Sequence, residues 1–318
     1  MNRITVGDMP IKALAPWFGG KRNLAPRIVA ELGEHRVYWE PFCGSMAVLL
    51  AKPQCVMETV NDLHAGLVNL ARVIQHPTLG AMLYRQLRRT LMCEDIFNDA
   101  SQEAREDEKR GFVQQILDDG ILPTDSDRLL CAYDYFVTSW LGRNGCAGQR
   151  QGKTGSYCVR YTANGGHAAK RWNSAIRSIP AWRKRMASVT ILNRDGFDLL
   201  ERIDDAEGVA IYIDPPYLVK RAKYMHDFEQ HDHNRLAASL KRFKKARLVV
   251  SYYEHPDLAE MYPGWSKISV EVSKALSNAN SRGGQKGRAT EVMLINGPSF
   301  NQPPDATLFA GTAGTDAK

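Results

Sequence analysis

Residues 208–217 read Gly208-Val209-Ala210-Ile211-Tyr212-Ile213-Asp214-Pro215-Pro216-Tyr217. The apolar run has no polar alternation, so both of its faces are buried, as in a parallel sheet covered by helices. It ends in an acid, two prolines and an aromatic ring. The prolines fix φ and remove two backbone donors, which leaves the carbonyls beside them to face a ligand instead of a sheet partner. The carboxylate of Asp214 and such a carbonyl can accept both hydrogens of an exocyclic amine, while Tyr217 offers a ring for a flat base to stack on. Taken alone, the tetrapeptide also suits a plain strand end with a Pro-Pro turn and a capping Asp.

Similar runs recur at Arg36–Trp39, Val56–Val60, Val189–Leu192 and Arg247–Tyr252, each followed by a turn or a helix-like segment. This alternation predicts an α/β fold, doubly wound around a mainly parallel sheet. Trp265–Val272 and Glu291–Ile295 are expected to close one edge as an antiparallel pair, with the polar, glycine-bearing loop Lys274–Arg288 between them. Ligands of open α/β sheets bind beyond the carboxyl ends of the strands, where Glu40 to Ser45, Asp62, Asp195 and Asp214 all fall. From about Gln75 the βα rhythm breaks. The expected organisation is therefore discontinuous: residues 1–75 and 190–298 form one domain, 76–189 an inserted one, and 299–318 a disordered tail.

The chain has 318 residues, 44% of them apolar, enough for a full α/β core. Its net charge of +7 is unevenly spread, because no acid lies between Asp134 and Asp195. Eleven bases do: Arg143, Arg150, Lys153, Arg160, Lys170, Arg171, Arg177, Arg183, Lys184, Arg185 and Arg194. Interleaved with Trp140, Tyr157, Tyr161, Trp172 and Trp182, they form a candidate surface for phosphates and unstacked bases. The preceding stretch, Glu94 to Arg128, holds eleven acids against four bases and is helix-prone, so it should face away from a polyanion. Cys43, Cys55, Cys93, Cys131, Cys146 and Cys158 show no CxxC pair or zinc spacing, and they are expected to be reduced thiols of a cytoplasmic protein. There is no signal core and no run long enough to cross a bilayer, so neither secretion nor membrane insertion is expected.

Three further motifs carry chemistry. Pro16-Trp17-Phe18-Gly19-Gly20-Lys21-Arg22 combines glycines that admit a ligand, a cation at Lys21 and an indole at Trp17 able to cover a purine or a methyl donor. Glu40-Pro41-Phe42-Cys43-Gly44-Ser45 is a strand end and tight turn with a single glycine, unlike the GxGxxG of dinucleotide enzymes, so a pyrophosphate is not its guest. A ligand with an amino-acid tail suits Glu40 and the exposed amides better. Asp62, after the second strand, is placed to take two ribose hydroxyls, or to cap the helix that follows. Asp195 ends another strand and could hold an adenine amine, with Phe197 beside it expected in the core. His226, His231 and His233 have the appearance of a polar loop, and no metal is expected there.

Together and in this order, the Trp-Phe-Gly-Gly-Lys segment, the Glu-Pro-Phe-Cys-Gly-Ser turn, Asn61-Asp62, Asn193-Arg194-Asp195-Gly196-Phe197 and Asp214-Pro215-Pro216-Tyr217 resemble the motifs of Dam-like (D12 class) DNA adenine-N6 methyltransferases. Ser277-Asn278-Ala279-Asn280-Ser281-Arg282-Gly283-Gly284, followed by Glu291-Val292-Met293-Leu294-Ile295, is similar to that group's closing loop and strand. The resemblance implies a Rossmann-like methyltransferase sheet, S-adenosylmethionine as cofactor and double-stranded DNA as partner, with 76–189 as the target-recognition insertion. It implies that Trp17, Lys21, Asp62 and Asp214 contact the methyl donor, and that Asp214, Pro215, Pro216 and Tyr217 receive the target base. Glu40, Pro41, Phe42, Cys43, Gly44, Ser45 and Asp195 complete the expected cofactor set. Arg143, Asn144, Gln149, Arg150, Lys153, Lys170, Arg171 and Arg282 are the expected DNA contacts. Two departures stand out: the turn has Cys43-Gly44-Ser45 where a second glycine is frequent, and Pro16 stands where some members carry a DNA-contacting lysine. Rival readings keep the fold but change the acceptor to a cytosine amine or an RNA adenine, or make the chain a non-catalytic DNA-binding module. A monomer is expected, without metal.

Overall fold

The computed structural model describes residues 9–17, 19–117, 124–142, 156–159, 168–217, 228–273 and 288–301. Its strands are β1 (Val37–Glu40), β2 (Met57–Asn61), β3 (Val189–Leu192), β4 (Val209–Ile213), β5 (Arg247–Tyr253), β6 (Ser266–Ser273) and β7 (Arg288–Ile295). The helices are α1 (Ala25–Leu32), α2 (Ala47–Ala51), α3 (Ala65–Gln75), α4 (Pro77–Arg89), α5 (Glu94–Lys109), α6 (Phe112–Leu117), α7 (Asp125–Leu141), α8 (Ala168–Met186), α9 (Gly196–Arg202), α10 (Gln230–Leu240) and α11 (Leu258–Met261).

All seven strands form one sheet in the order β3-β2-β1-β4-β5-β7-β6. The first five pair in parallel and β7 runs antiparallel to both its neighbours, as the alternating runs predict. Strand β4 is buried at every position, which is why its sequence lacks polar alternation. Strand order reverses between β1 and β4, so a crevice opens where their carboxyl ends part. The turn after β1 and the tetrad after β4 meet there.

Two apolar layers cover the sheet. One packs Ile28 of α1 with Leu70 of α3, Leu83 of α4, Phe136 of α7 and Trp182 of α8. The other joins Leu200 of α9, Leu236 of α10 and Leu258 of α11. Helices between β2 and β3 therefore share a core with the sheet. This corrects the reading of the tryptophans: Trp140, Trp172 and Trp182 are at most 3% exposed and fill the core, so they are no platforms for bases. Trp140 Nε1 donates to the Leu14 carbonyl oxygen (3.0 Å) and Trp182 Nε1 to that of Ile11 (2.7 Å), while Ser178 Oγ accepts from the Ile11 amide (3.0 Å). Helices α7 and α8 thus clamp the chain segment that leads into Trp17.

Arg185 also leaves the expected basic surface. It is 2% exposed, and its guanidinium pairs bidentately with Glu58 at 2.6 and 2.7 Å, with Lys52 joining at 2.5 Å. Burial alone would raise the Glu58 carboxyl, but Arg185 and then Lys52 outweigh it and hold the pKa below the ordinary value. The triad ties the end of α8 to β2 and α2.

Three smaller differences follow from pairing. Strand β7 begins at Arg288, three residues before the expected Glu291, because the β6 ladder extends to Ser273 opposite Arg288. His231 and His233 lie on α10 instead of a loop, whereas His226 falls outside the described residues. Residues 299–301, at the start of the expected tail, bond to the buried Glu31 through Ser299 Oγ, the Phe300 amide and Asn301 Nδ2.

Candidate active site

At the β1/β4 crossing lies a cavity of about 210 Å³. Trp17, Gly19, Pro41, Phe42, Gly44, Asp62, Asp195, Asp214, Pro215, Pro216 and Tyr217 line it, together with Phe197. Five motifs spread over two hundred residues of sequence are thus brought to one space. Glu40, Cys43 and Ser45, from the same turn, are buried and stand behind the wall.

Each element of the wall has a local cause. The turn after β1 needs Gly44 at φ 44°, and an added Cβ would lie 2.8 Å from Trp17 Nε1. The Gly44 amide donates to Asp62 Oδ2 (2.8 Å), which locks the turn to the end of β2. Asp62 Oδ1 accepts the His64 amide at 2.9 Å, and His64 itself caps α3 by accepting the Leu67 amide. Asp62 therefore is not the cap of α3, the alternative its sequence position allowed. Asp195 caps α9 by accepting the Phe197 amide at 2.7 Å and lines the cavity as well.

The tetrad is held from two sides. Tyr217 packs on Tyr253 of β5 with ring centroids 4.3 Å apart. Lys21, 3% exposed, donates to the Gly19 carbonyl oxygen (2.7 Å) and to the Tyr217 hydroxyl, and its ammonium lies over the Tyr217 ring. It also stands 2.9 Å from Asp214 Oδ1, as an ion pair without hydrogen-bond alignment. Burial raises the Asp214 carboxyl above its ordinary pKa; Lys21 opposes that and Asp62 adds to it. Behind them, Glu40 is pushed up to about 8 by burial, against the opposing hydrogen bond from the Tyr38 hydroxyl at 2.9 Å.

Sequence reasoning missed part of the wall. Leu63 and His64 line it from the α3 start, and Phe228, Asp232 and Arg235 from α10 and the residues before it. Phe42, Phe197 and Phe228 form an aromatic floor, with Phe197 and Phe228 stacked at 5.8 Å and the Arg235 guanidinium 4.2 Å from the Phe197 centroid. No short motif marks these positions; the helical spacing of Asp232 and Arg235 was their one signal. Among the described residues, four carboxylates, Asp62, Asp195, Asp214 and Asp232, line the cavity against a single guanidinium. That balance suits a ligand with hydroxyls, amines and positive charge, and excludes a pyrophosphate.

Among the expected DNA contacts, Lys170 is exposed at the start of α8. Arg171 is half-buried and donates to the Trp140 and Gly142 carbonyl oxygens (3.0 and 3.5 Å). Arg143, Asn144, Gln149, Arg150, Lys153 and Arg282 fall outside the described residues. Among the described residues, no group of His, Cys, Asp and Glu is arranged to hold a metal, and no helix is long and apolar enough to cross a membrane.

A mainly parallel sheet of this order, with an acid after β2 and an Asp-Pro-Pro-Tyr corner after β4 sharing one cavity, defines a Rossmann-like methyltransferase. Residues 17–276 match the family described as D12 class N6 adenine-specific DNA methyltransferase. The chain belongs to that family, and its activity is methylation of adenine in DNA. No curated protein matches the chain.

Proposed function

We propose that S-adenosylmethionine is the methyl donor and that it is held in the cavity between Asp62 and Asp214. When bound, it supplies an electrophilic sulfonium methyl. The residues fit it: Asp62 takes the ribose hydroxyls, Asp195 the adenine amine, Trp17 and Phe42 the flat ring, and the acidic lining favours the cationic sulfur. The observation that carries this reading is the shared cavity, in which the cofactor motifs and the tetrad face the same space.

The target amine is a poor nucleophile because its lone pair is delocalised into the ring. Asp214 and the Pro215 carbonyl accept its two hydrogens and draw the nitrogen toward tetrahedral geometry, so positioning provides most of the acceleration. The base leaves the duplex at a cost of a few kcal/mol, offset by stacking on Tyr217 and by contacts to the backbone. Lys170, Arg143, Asn144, Gln149, Arg150, Lys153 and Arg282 contact the DNA, with phosphate contacts from the basic residues and base edges read by some of Arg143, Asn144, Gln149, Arg150 and Lys153. Arg171 positions the segment after α7 through its bonds to Trp140 and Gly142.

Asp214→Ala tests the reading. Transfer of tritiated methyl groups to unmethylated genomic DNA should fall below detection while DNA retention on a filter stays close to wild type. Full transfer by that variant would overturn the mechanism.

A further inference from the structure

An ammonium has three hydrogens, and that of Lys21 has three neighbours: the Gly19 carbonyl oxygen, the Tyr217 hydroxyl and Asp214 Oδ1. The Asp214 contact is an ion pair without hydrogen-bond alignment, and a substrate amine that bonds Asp214 competes with it. At 3% exposure Lys21 does not reach water, so its charge needs another buried partner.

Glu291 on β7 has the complementary lack. It is 7% exposed, and among the described residues its Oε2 has no hydrogen-bond partner. It pairs in register with Tyr253, whose ring packs against Tyr217. By strand alternation it shares a sheet face with Met293 and Ile295, the face that α1 covers through Ile28, and Lys21 stands just before α1. Burial raises the Glu291 carboxyl above its ordinary pKa; Lys21 opposes that and Asp214 adds to it.

We infer that Glu291 is the second seat of the Lys21 ammonium: when the substrate amine occupies Asp214, Lys21 turns to Glu291, stays paired, and releases Asp214 to act as acceptor. The gain lies in acceptor strength. A carboxylate beside an ammonium holds a neutral N–H donor less firmly, and moving the cation away restores that hold. Glu291 is then a positioning residue that acts through Lys21. The inference rests on the role given to Asp214 above.

The test is a double-mutant cycle on single-turnover methyl transfer to unmethylated genomic DNA, with S-adenosylmethionine saturating. Glu291→Gln should slow transfer roughly 10- to 100-fold, the range for removing the outer partner of a functional ligand. Donor and DNA affinities should stay within about twofold of wild type, because neither ligand touches Glu291. In a Lys21→Met background the same substitution should change the rate by less than about twofold, since the residue it acts through is gone. A wild-type rate for Glu291→Gln, or an equal loss with and without Lys21, overturns the inference. If Glu291→Gln does not fold, Glu291→Asp serves in the same cycle: its shorter carboxylate must slow transfer only when Lys21 is present. Asp214→Ala separates the two levels. Full activity there removes the parent reading, whereas lost activity there with additive Glu291 and Lys21 effects removes this inference alone.

Discussion

Replacing Gly44 by alanine tests the join between two segments that line the cavity. The residue sits at φ 44°, and a Cβ would lie 2.8 Å from Trp17 Nε1, 3.1 Å from Cε2 and 3.2 Å from Cδ1. The left-handed backbone costs an L residue about 1–2 kcal/mol. Displacing the indole adds about 1–3 kcal/mol, as other overpacked sites do. Because Trp17 is only half-buried, its ring has room to retreat and the lower part of that range applies, for a total of about 2–4 kcal/mol. Gly111 supplies the control. It has φ 63° with nothing within 4 Å of an added Cβ, so its alanine variant carries the backbone term alone, about 1–2 kcal/mol. Urea unfolding of both variants at unchanged m isolates the clash. Retreat of the indole also weakens the methyl-donor complex about tenfold, or about 1.4 kcal/mol, by titration calorimetry, with no change for Gly111→Ala. Equal midpoints for the two variants, or wild-type donor affinity in Gly44→Ala, would refute the packing argument.

Glu58→Gln leaves the Lys52 and Arg185 cations buried without a countercharge and should cost about 3–5 kcal/mol in urea unfolding; a loss below about 1 kcal/mol would show that the triad is dispensable. Glu40 gives a pH dependence. Its folded pKa of about 8 is raised above the unfolded value, so its contribution is complete below the unfolded pKa and is lost as pH rises through about 8. Stability should decline between those pKa values by up to about 1.4 kcal/mol per pH unit, and Glu40→Gln should flatten the decline. Parallel pH profiles for the two proteins would place the titration elsewhere.

The sheet was legible because its strands are buried on both faces, and continuous apolar runs such as Val209–Ile213 have no competing pattern. The tetrad, Asp62 and Trp17 were legible because rigid corners and strand-end acids are local features. The tryptophans were misread for a physical reason. Charge was read along the chain, while α8 sorts it around an axis: Trp172, Ile176, Ile179 and Trp182 fall on one buried stripe, and Lys170, Arg177 and Lys184 on the exposed one. That helical period was present in the sequence. The contribution of Phe228, Asp232 and Arg235 was not, since only the tertiary fold carries α10 over the turn after β1. Glu291 was noted as part of a strand, but that its Oε2 lacks a hydrogen-bond partner among the described residues is visible only once the sheet is assembled.

The bonds from Trp140, Ser178 and Trp182 to the backbone of Ile11 and Leu14 set an order of events at the ribosome. Ile11 gains its two partners on α8 only when that helix has emerged, because Ser178 and Trp182 lie 167 and 171 positions later. A nascent chain ending before Ser178 therefore lacks two of the bonds that hold the segment leading into Trp17, and gains them only as α8 packs over it.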